Sequence, residues 1–131
     1  MAFTTADAAG LPVYHTNVMM CVGTEIALVG FDLIEEAKRR AEVRARLEES
    51  GRTVIALDAR QIADFAGNAI ELSGAQGRVL ALSERAAASL TQEQWALISR
   101  SARLLPLLVP TIEMAGGSVR CMLAGIHLAR R

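Results

Sequence analysis

The chain has 131 residues, of which 52% are hydrophobic, and its 14 Lys and Arg residues balance its 14 Asp and Glu residues. This length suits one domain with its own core, so residues 1–131 are assigned to a single domain. The charge balance argues against nucleic acid or an anionic membrane surface as the main partner. The longest apolar runs are too short to span a bilayer, which argues against a membrane protein.

The first half of the chain predicts a mixture of strands and one long helix. Asp32 and Glu35 predict a capping box for that helix, and Gly51 is suited to end it. The opening segment is strand-like and leads into turn-forming residues at 7–10. In chain order, the predicted elements are strands at 2–6, 18–22 and 26–29, a helix at 34–49 and a strand at 53–57.

The second half predicts a similar order with shorter helices. Thr91 and Gln94 predict another capping box, and Leu90 and Trp95 are spaced as a hydrophobic staple. In chain order, the predicted elements are a helix at 59–65, strands at 69–72 and 78–82, a short helix from 83, a helix from 91 to about 101, and strands at 104–109 and 121–128.

The order strand, strand, helix, strand occurs twice, at 18–57 and at 69–109, with a partial unit at each end. Equivalent elements that recur after roughly 50 residues indicate a structural repeat. Repeats of this kind bury a shared core between neighbours. The predicted fold class is therefore α/β (α+β), built from about two and a half ββαβ units.

Cys121 has the surroundings that most favour chemistry, because it follows a glycine pair and Arg120 in AGGSVRCML. Glycines allow a substrate to approach the backbone closely, and a neighbouring guanidinium favours the nucleophilic thiolate. The simpler interpretation is a structural cysteine at the start of an edge strand. Cys21 lies in an apolar run and is interpreted as a core residue. Both are interpreted as free thiols in a reducing cytoplasm.

His15 and Asn17 stand where an apolar run begins, in YHTNVMMCVG, and polar groups there need partners. A surface or structural histidine is the simpler interpretation, but a cysteine and a distant histidine can form a catalytic pair because they meet in space. The segment 64–68 is interpreted either as a helix C-cap with a turn or as a loop that directs Asn68 into a site. His127 is expected to be exposed, and two distant histidines do not predict a metal site.

Three stretches, YHTNVMMCVGTEIALV, FAGNAIEL and TIEMAGGSVRCMLA, resemble in order and separation the C-terminal half of amidinotransferase-like proteins related to arginine deiminase. These proteins form the guanidino-group-modifying superfamily, whose fold is the pentein propeller of five ββαβ units around a central site. The resemblance extends from residue 3 to about 128. It implies that the chain is a partial pentein-type α/β propeller.

The resemblance also implies roles for single residues. Cys121 matches the family nucleophile and His15 the general acid/base, while Asn17, Asn68 and Gly117 are implied substrate-binding residues. The asparagine at 17 stands where many relatives have an acid. AGGS replaces three glycines that are common in relatives, and the glycine at 125 stands where relatives often have Glu.

The implied chemistry is covalent catalysis on a small guanidino substrate, arginine or a derivative of it. The Cys121 thiolate attacks the guanidinium carbon, His15 protonates the departing amine, and water releases a ureido product such as citrulline. Attack by an amine instead of water would give amidino transfer. The implied reaction uses no metal or organic cofactor.

A guanidinium is held by carboxylates, and in the family these come from the N-terminal half. Asp58, Asp64 and Glu113 are internal acids whose sequence context does not match those carboxylates. We therefore expect one of two functions. The chain is either an enzyme that acts with a partner half or as a homo-oligomer, or a catalytically incomplete fragment or interaction module. In both cases it would derive from a truncated reading frame or from a separately encoded half. An unrelated cytosolic α/β binding protein would require the three motif matches to be chance.

Overall fold

The computed structural model describes residues 2–7, 9–13 and 15–126, which form two three-stranded sheets flanked by short helices. The strands are β1 (Met20–Val22), β2 (Ile26–Val29), β3 (Thr53–Ala56), β4 (Ile70–Gly74), β5 (Gly77–Ser83) and β6 (Arg103–Leu107). The helices are α1 (Thr16–Met19), α2 (Ala37–Glu49), α3 (Ala59–Ala63), α4 (Glu84–Ser89), α5 (Gln92–Ser99) and α6 (Pro110–Glu113), with 3-10 turns at Phe31–Leu33 and Val119–Met122.

Both sheets have the same topology. β1 pairs antiparallel with β2, which pairs parallel with β3 after the crossover helix α2. β4, β5 and β6 repeat this pairing, with α4 and α5 in the crossover. A parallel pair requires such a crossover, and the predicted ββαβ order is therefore confirmed in two copies. The arrangement of such units as a propeller stays a prediction.

Strand β2 is buried on both faces, and its alternating side chains enter two different clusters. Ala27 and Val29 pack with Val43 of α2 in the smaller cluster. Ile26 and Leu28 enter the larger cluster, which also contains side chains from the second sheet. Those second-sheet side chains are Leu80, Leu82 and Leu104. The two units therefore share a hydrophobic core, in which each large aliphatic side chain contributes about 1.5–3 kcal/mol.

The predicted strand at 2–6 is wrong in extent. Thr5 forms a single bridge with Ile34, and Ala6 forms one with Pro12, with no continuous ladder. The segment is instead held by separate backbone contacts to the residues after β2. It lies against the first unit without adding a strand to its sheet.

The predicted capping box at Asp32 and Glu35 is also wrong, because α2 begins later, at Ala37. Phe31–Leu33 forms a 3-10 turn, and the Glu35 backbone N–H donates to the carbonyl oxygen of Thr4 at 3.3 Å. The Glu35 N–H, which the Asp32 side chain would have bound in a capping box, is therefore bonded to a segment distant in sequence.

The second capping box is confirmed. The Thr91 hydroxyl accepts a hydrogen bond from the Gln94 backbone N–H, and the Gln94 side chain accepts one from the Thr91 backbone N–H. Leu90 belongs to the larger core cluster and Trp95 packs against that cluster, which is consistent with the predicted staple. Gly51 follows α2 with φ 82°, the left-handed conformation that glycine adopts at helix ends.

The predicted strand at 121–128 is wrong where the structure describes it. Val119–Met122 is a 3-10 turn, in which the Cys121 N–H donates to the Ser118 carbonyl at 3.0 Å. Such local bonds occupy backbone groups that a strand would offer to a neighbour. Residues 127–128 lie outside the described residues. In the part of the chain that is described, no helix is long and apolar enough to cross a membrane.

Candidate functional site

The thiol of Cys121 is the centre of the candidate site. Cys121 is exposed, and its Sγ accepts a hydrogen bond from Asn68 Nδ2 at 3.1 Å. Asn17 Nδ2 lies 3.8 Å from the same sulfur. Amide N–H groups directed at a sulfur stabilise negative charge on it. Two residues distant in sequence therefore place side-chain amide donors next to the thiol.

Asn68 joins the segments that meet at this thiol. Its side chain is buried, and Nδ2 also donates to the backbone oxygen of Asn17 at 2.7 Å. Oδ1 accepts the Ser118 backbone N–H at 3.0 Å, and the Asn68 carbonyl accepts the Arg120 N–H at 3.2 Å. The loop that carries Cys121 is thus bonded to both the side chain and the backbone of Asn68.

Gly67 allows Asn68 to come this close to α1. A Cβ at position 67 would lie 2.7 Å from the Val18 carbonyl oxygen and 2.9 Å from the Met19 carbonyl carbon. Backbone atoms cannot move aside as the end of a side chain can. Position 67 therefore requires glycine for packing, although the sequence suggested only a turn.

Phe65 ends α3 in a left-handed conformation, with φ 65°. Its N–H donates to the Ile62 carbonyl at 3.0 Å, which is part of a Schellman-type helix end. The Arg85 guanidinium lies 5.4 Å from the centre of the Phe65 ring and donates to Asp64 at 2.7 Å. The predicted C-cap is present, but its left-handed residue is phenylalanine.

Gly117 borders the thiol directly. A Cβ at position 117 would lie 3.0 Å from the Cys121 Cβ and 3.2 Å from its Sγ. Ser118, the next residue, is buried, and its hydroxyl donates to Glu113 Oε1 at 3.0 Å. Gly116 has φ 87° and allows the tight turn. Sequence reasoning selected Gly117 but missed Ser118, which carries no motif signal.

His15 is exposed and stands at the N-cap of α1. Its carbonyl oxygen accepts the Val18 N–H at 3.0 Å, which closes the first turn of that helix. The predicted strand at 18–22 therefore begins only at Met20. The same turn carries Asn17 against Cys121, so His15 lies two residues from a side chain that contacts the thiol.

Asn17 also presents an unsatisfied group at the site. Its Oδ1 is buried and accepts no hydrogen bond from the described residues. A buried acceptor without a donor is costly.

The three internal acids have other contacts. Asp58 caps the first turn of α3, and Asp64 pairs with Arg85 at 2.7 Å. Glu113 accepts the hydrogen bond from Ser118, close in sequence to Cys121. Within residues 2–7, 9–13 and 15–126, no group of three or more His, Cys, Asp or Glu side chains could hold a metal ion. His127 lies outside those ranges.

Cys21 has the opposite surroundings. It is 5% exposed and belongs to the larger core cluster. Burial, and then the nearby Glu71 carboxylate, raises the pKa of the Cys21 thiol from 9.0 to about 12. This thiol is therefore neutral near pH 7, in line with its interpretation as a core residue.

The fold resembles a solved structure of ArgZ, an arginine dihydrolase from the ornithine-ammonia cycle in cyanobacteria. The TM-score is 0.66 at 14% sequence identity, and the match covers 90% of this chain and 17% of that one. The chain thus spans about a sixth of the length of that structure. No curated protein matches the chain.

Fold and sequence together define a member of the pentein superfamily of guanidino-group-modifying enzymes, which confirms the predicted superfamily. A family model described as N,N-dimethylarginine dimethylhydrolase, eukaryotic, matches residues 1–128. The chain belongs to that family.

Proposed function

We propose that this chain carries the nucleophile of a guanidino-group hydrolase that acts on an Nω-methylated arginine. The observation that carries the proposal is the exposed Cys121 sulfur with Asn68 Nδ2 at 3.1 Å and Asn17 Nδ2 at 3.8 Å. Membership of the dimethylarginine dimethylhydrolase family supports hydrolysis rather than amidino transfer. It also supports a methylated arginine as the substrate.

In the first step, the Cys121 thiolate attacks the guanidinium carbon and an S–C bond forms. The C–N bond to the dimethylamino group breaks, and His15 supplies the proton that makes dimethylamine a good leaving group. A thiouronium group remains attached to Cys121. The exposed position of this sulfur makes such an attack sterically possible.

In the second step, water attacks the thiouronium carbon while His15 accepts a proton from it. The S–C bond breaks, the sulfur leaves as a thiolate, and citrulline is released. One water molecule is consumed: its oxygen enters citrulline, one of its protons restores His15, and the other leaves on dimethylamine as dimethylammonium. The atoms and electrons balance without an oxidant or a reductant.

Substrate binding requires groups that match a cationic guanidinium. The half-buried side chain of Asn17, next to the Cys121 sulfur, supports a contact with a substrate bound there. The carboxylates that hold the charge would come from a partner half, and the two ββαβ units would act together as one domain of the complete enzyme. Two free thiols favour the cytoplasm as its location.

The test measures citrulline from Nω,Nω-dimethylarginine, with the chain alone and with the N-terminal half of a dimethylarginine dimethylhydrolase added. We expect turnover with the half added and a thiouronium adduct on Cys121 by intact-protein mass spectrometry. Cys121→Ala should lower turnover by roughly three orders of magnitude or more.

Cys21→Ala is the matched control, because it removes the other thiol without touching the site. It should keep its turnover and its adduct. Equal turnover in Cys121→Ala and the unmodified chain would contradict the proposal. Absence of turnover with the added half would leave the alternative, a catalytically silent interaction module.

A further inference from the structure

We infer that Asn68 is a positioning residue for the Cys121 thiol rather than a substrate contact. The inference rests on the proposed function only in taking Cys121 as the nucleophile. It revises the role that the resemblance implies for this asparagine.

The side-chain amide of Asn68 has already used its donors within the protein. One N–H of Nδ2 donates to the Asn17 backbone oxygen at 2.7 Å, and the other donates to Cys121 Sγ at 3.1 Å. Oδ1 accepts the Ser118 N–H at 3.0 Å. An amide has two donors, and with 2% of Asn68 exposed none remains for a substrate.

These bonds set the relative position of two segments that chemistry must bring together. The bond to the Asn17 carbonyl holds the turn that begins at His15, and the bond to Ser118 holds the turn that carries Cys121. The bond to Sγ also orients the thiol. One buried amide thereby couples the position of the thiol to its reactivity.

Gln61 provides a matched comparison within the same fold. It is 4% exposed, and its Nε2 donates to the Ser89 carbonyl at 3.0 Å and to Gln94 Oε1 at 2.7 Å. It is a buried amide with satisfied donors in a different network. Gln61→Ala should therefore lower the stability of the protein, as Asn68→Ala does, without changing the alkylation rate of Cys121.

The experiment measures the alkylation rate of Cys121 by iodoacetamide as a function of pH. In Asn68→Ala, the alkylation rate should fall about tenfold across the pH range, because the thiol loses the donor that orients it. Asn68→Asp has no side-chain N–H and should lower the rate at least as much. Gln61→Ala should leave the rate unchanged. A folded Asn68→Ala protein with the original alkylation rate would overturn the inference.

A second measurement uses the unmodified protein and does not depend on whether Asn68→Ala folds. The side-chain amide resonances of Asn68, followed by NMR, should shift with the pH midpoint found for Cys121 alkylation. The shift should disappear in Cys121→Ser. Amide resonances that do not respond to the thiol would overturn the positioning role.

Alkylation needs no guanidino substrate, so the two proposals fail separately. If the unmodified enzyme forms no citrulline while Asn68→Ala still lowers the alkylation rate, the proposed function alone is overturned. If citrulline is formed but the alkylation rate of Asn68→Ala is unchanged, the positioning role alone is overturned.

Discussion

The two cysteines of this chain have the same functional group in opposite surroundings. Cys21 lies in β1 among apolar side chains, where burial and Glu71 raise its pKa to about 12. Cys121 is exposed in a 3-10 turn and accepts a hydrogen bond from Asn68. Solvent access and nearby hydrogen-bond donors therefore determine the reactivity of a thiol more than the residues adjacent to it in sequence do.

The largest expected effect is the difference in reactivity between the two thiols. In the native protein, iodoacetamide should alkylate Cys121 at least about 1,000-fold faster than Cys21, since Cys21 is reached only after the core opens. Peptide mass spectrometry after timed quenching measures both rates. In denaturant the rates should converge, and similar rates in the native protein would contradict the comparison.

The next effect concerns the backbone contact that brings Asn68 to Cys121. Gly67→Ala should lower the free energy of unfolding by about 2–3 kcal/mol, because the new methyl collides with the backbone at Val18 and Met19. Urea denaturation measures the loss. Gly74→Ala is the control, since its Cβ would meet only the Gly77 oxygen at 3.9 Å. Equal effects of the two substitutions would refute the packing argument.

The third effect is the pH dependence of protein stability that the buried thiol of Cys21 should cause. The folded state keeps the Cys21 proton to about pH 12, whereas an unperturbed thiol loses it near 9.0. The contribution of the protonated Cys21 thiol to the free energy of unfolding is therefore complete below pH 9. It declines as pH rises toward 12, by up to about 1.4 kcal/mol per pH unit.

Unfolding free energies at pH 8 and 10 measure this decline. Cys21→Ala should remove this component of the pH dependence, and Cys121→Ala should retain it. A decline of the same size in Cys21→Ala and the unmodified protein would show that other groups cause it.

The smallest expected effect concerns the support of the turn before Asn68. Arg85→Gln removes the ion pair with Asp64 and the contact with the Phe65 ring, and should cost about 0.5–1 kcal/mol. Arg60→Gln removes only a longer pair to Asp64, at 3.7 Å, and should cost less. Thermal unfolding of both variants provides the measurement. A larger loss in Arg60→Gln would contradict this ranking.

Elements that depend on neighbouring residues were predictable. Thr91 and Gln94 form the predicted capping box because both partners lie in a single turn. The predicted capping box at Asp32 and Glu35 does not form, because the Glu35 N–H donates to the carbonyl oxygen of Thr4, which is distant in sequence. The predicted strand from Cys121 failed because a strand needs a neighbour, which the local pattern of residues does not reveal.

For the candidate site, the sequence by itself determined the membership of the superfamily and the repeated ββαβ order, and it selected the candidate site residues Cys121, His15, Asn17, Asn68 and Gly117. Only the tertiary structure decided that Asn17 and Asn68 converge on the Cys121 sulfur. These residues are separated by 104 and 53 positions from Cys121. Sequence periodicity reports which face of an element is buried. It does not report which distant elements meet, because that depends on how the whole chain packs.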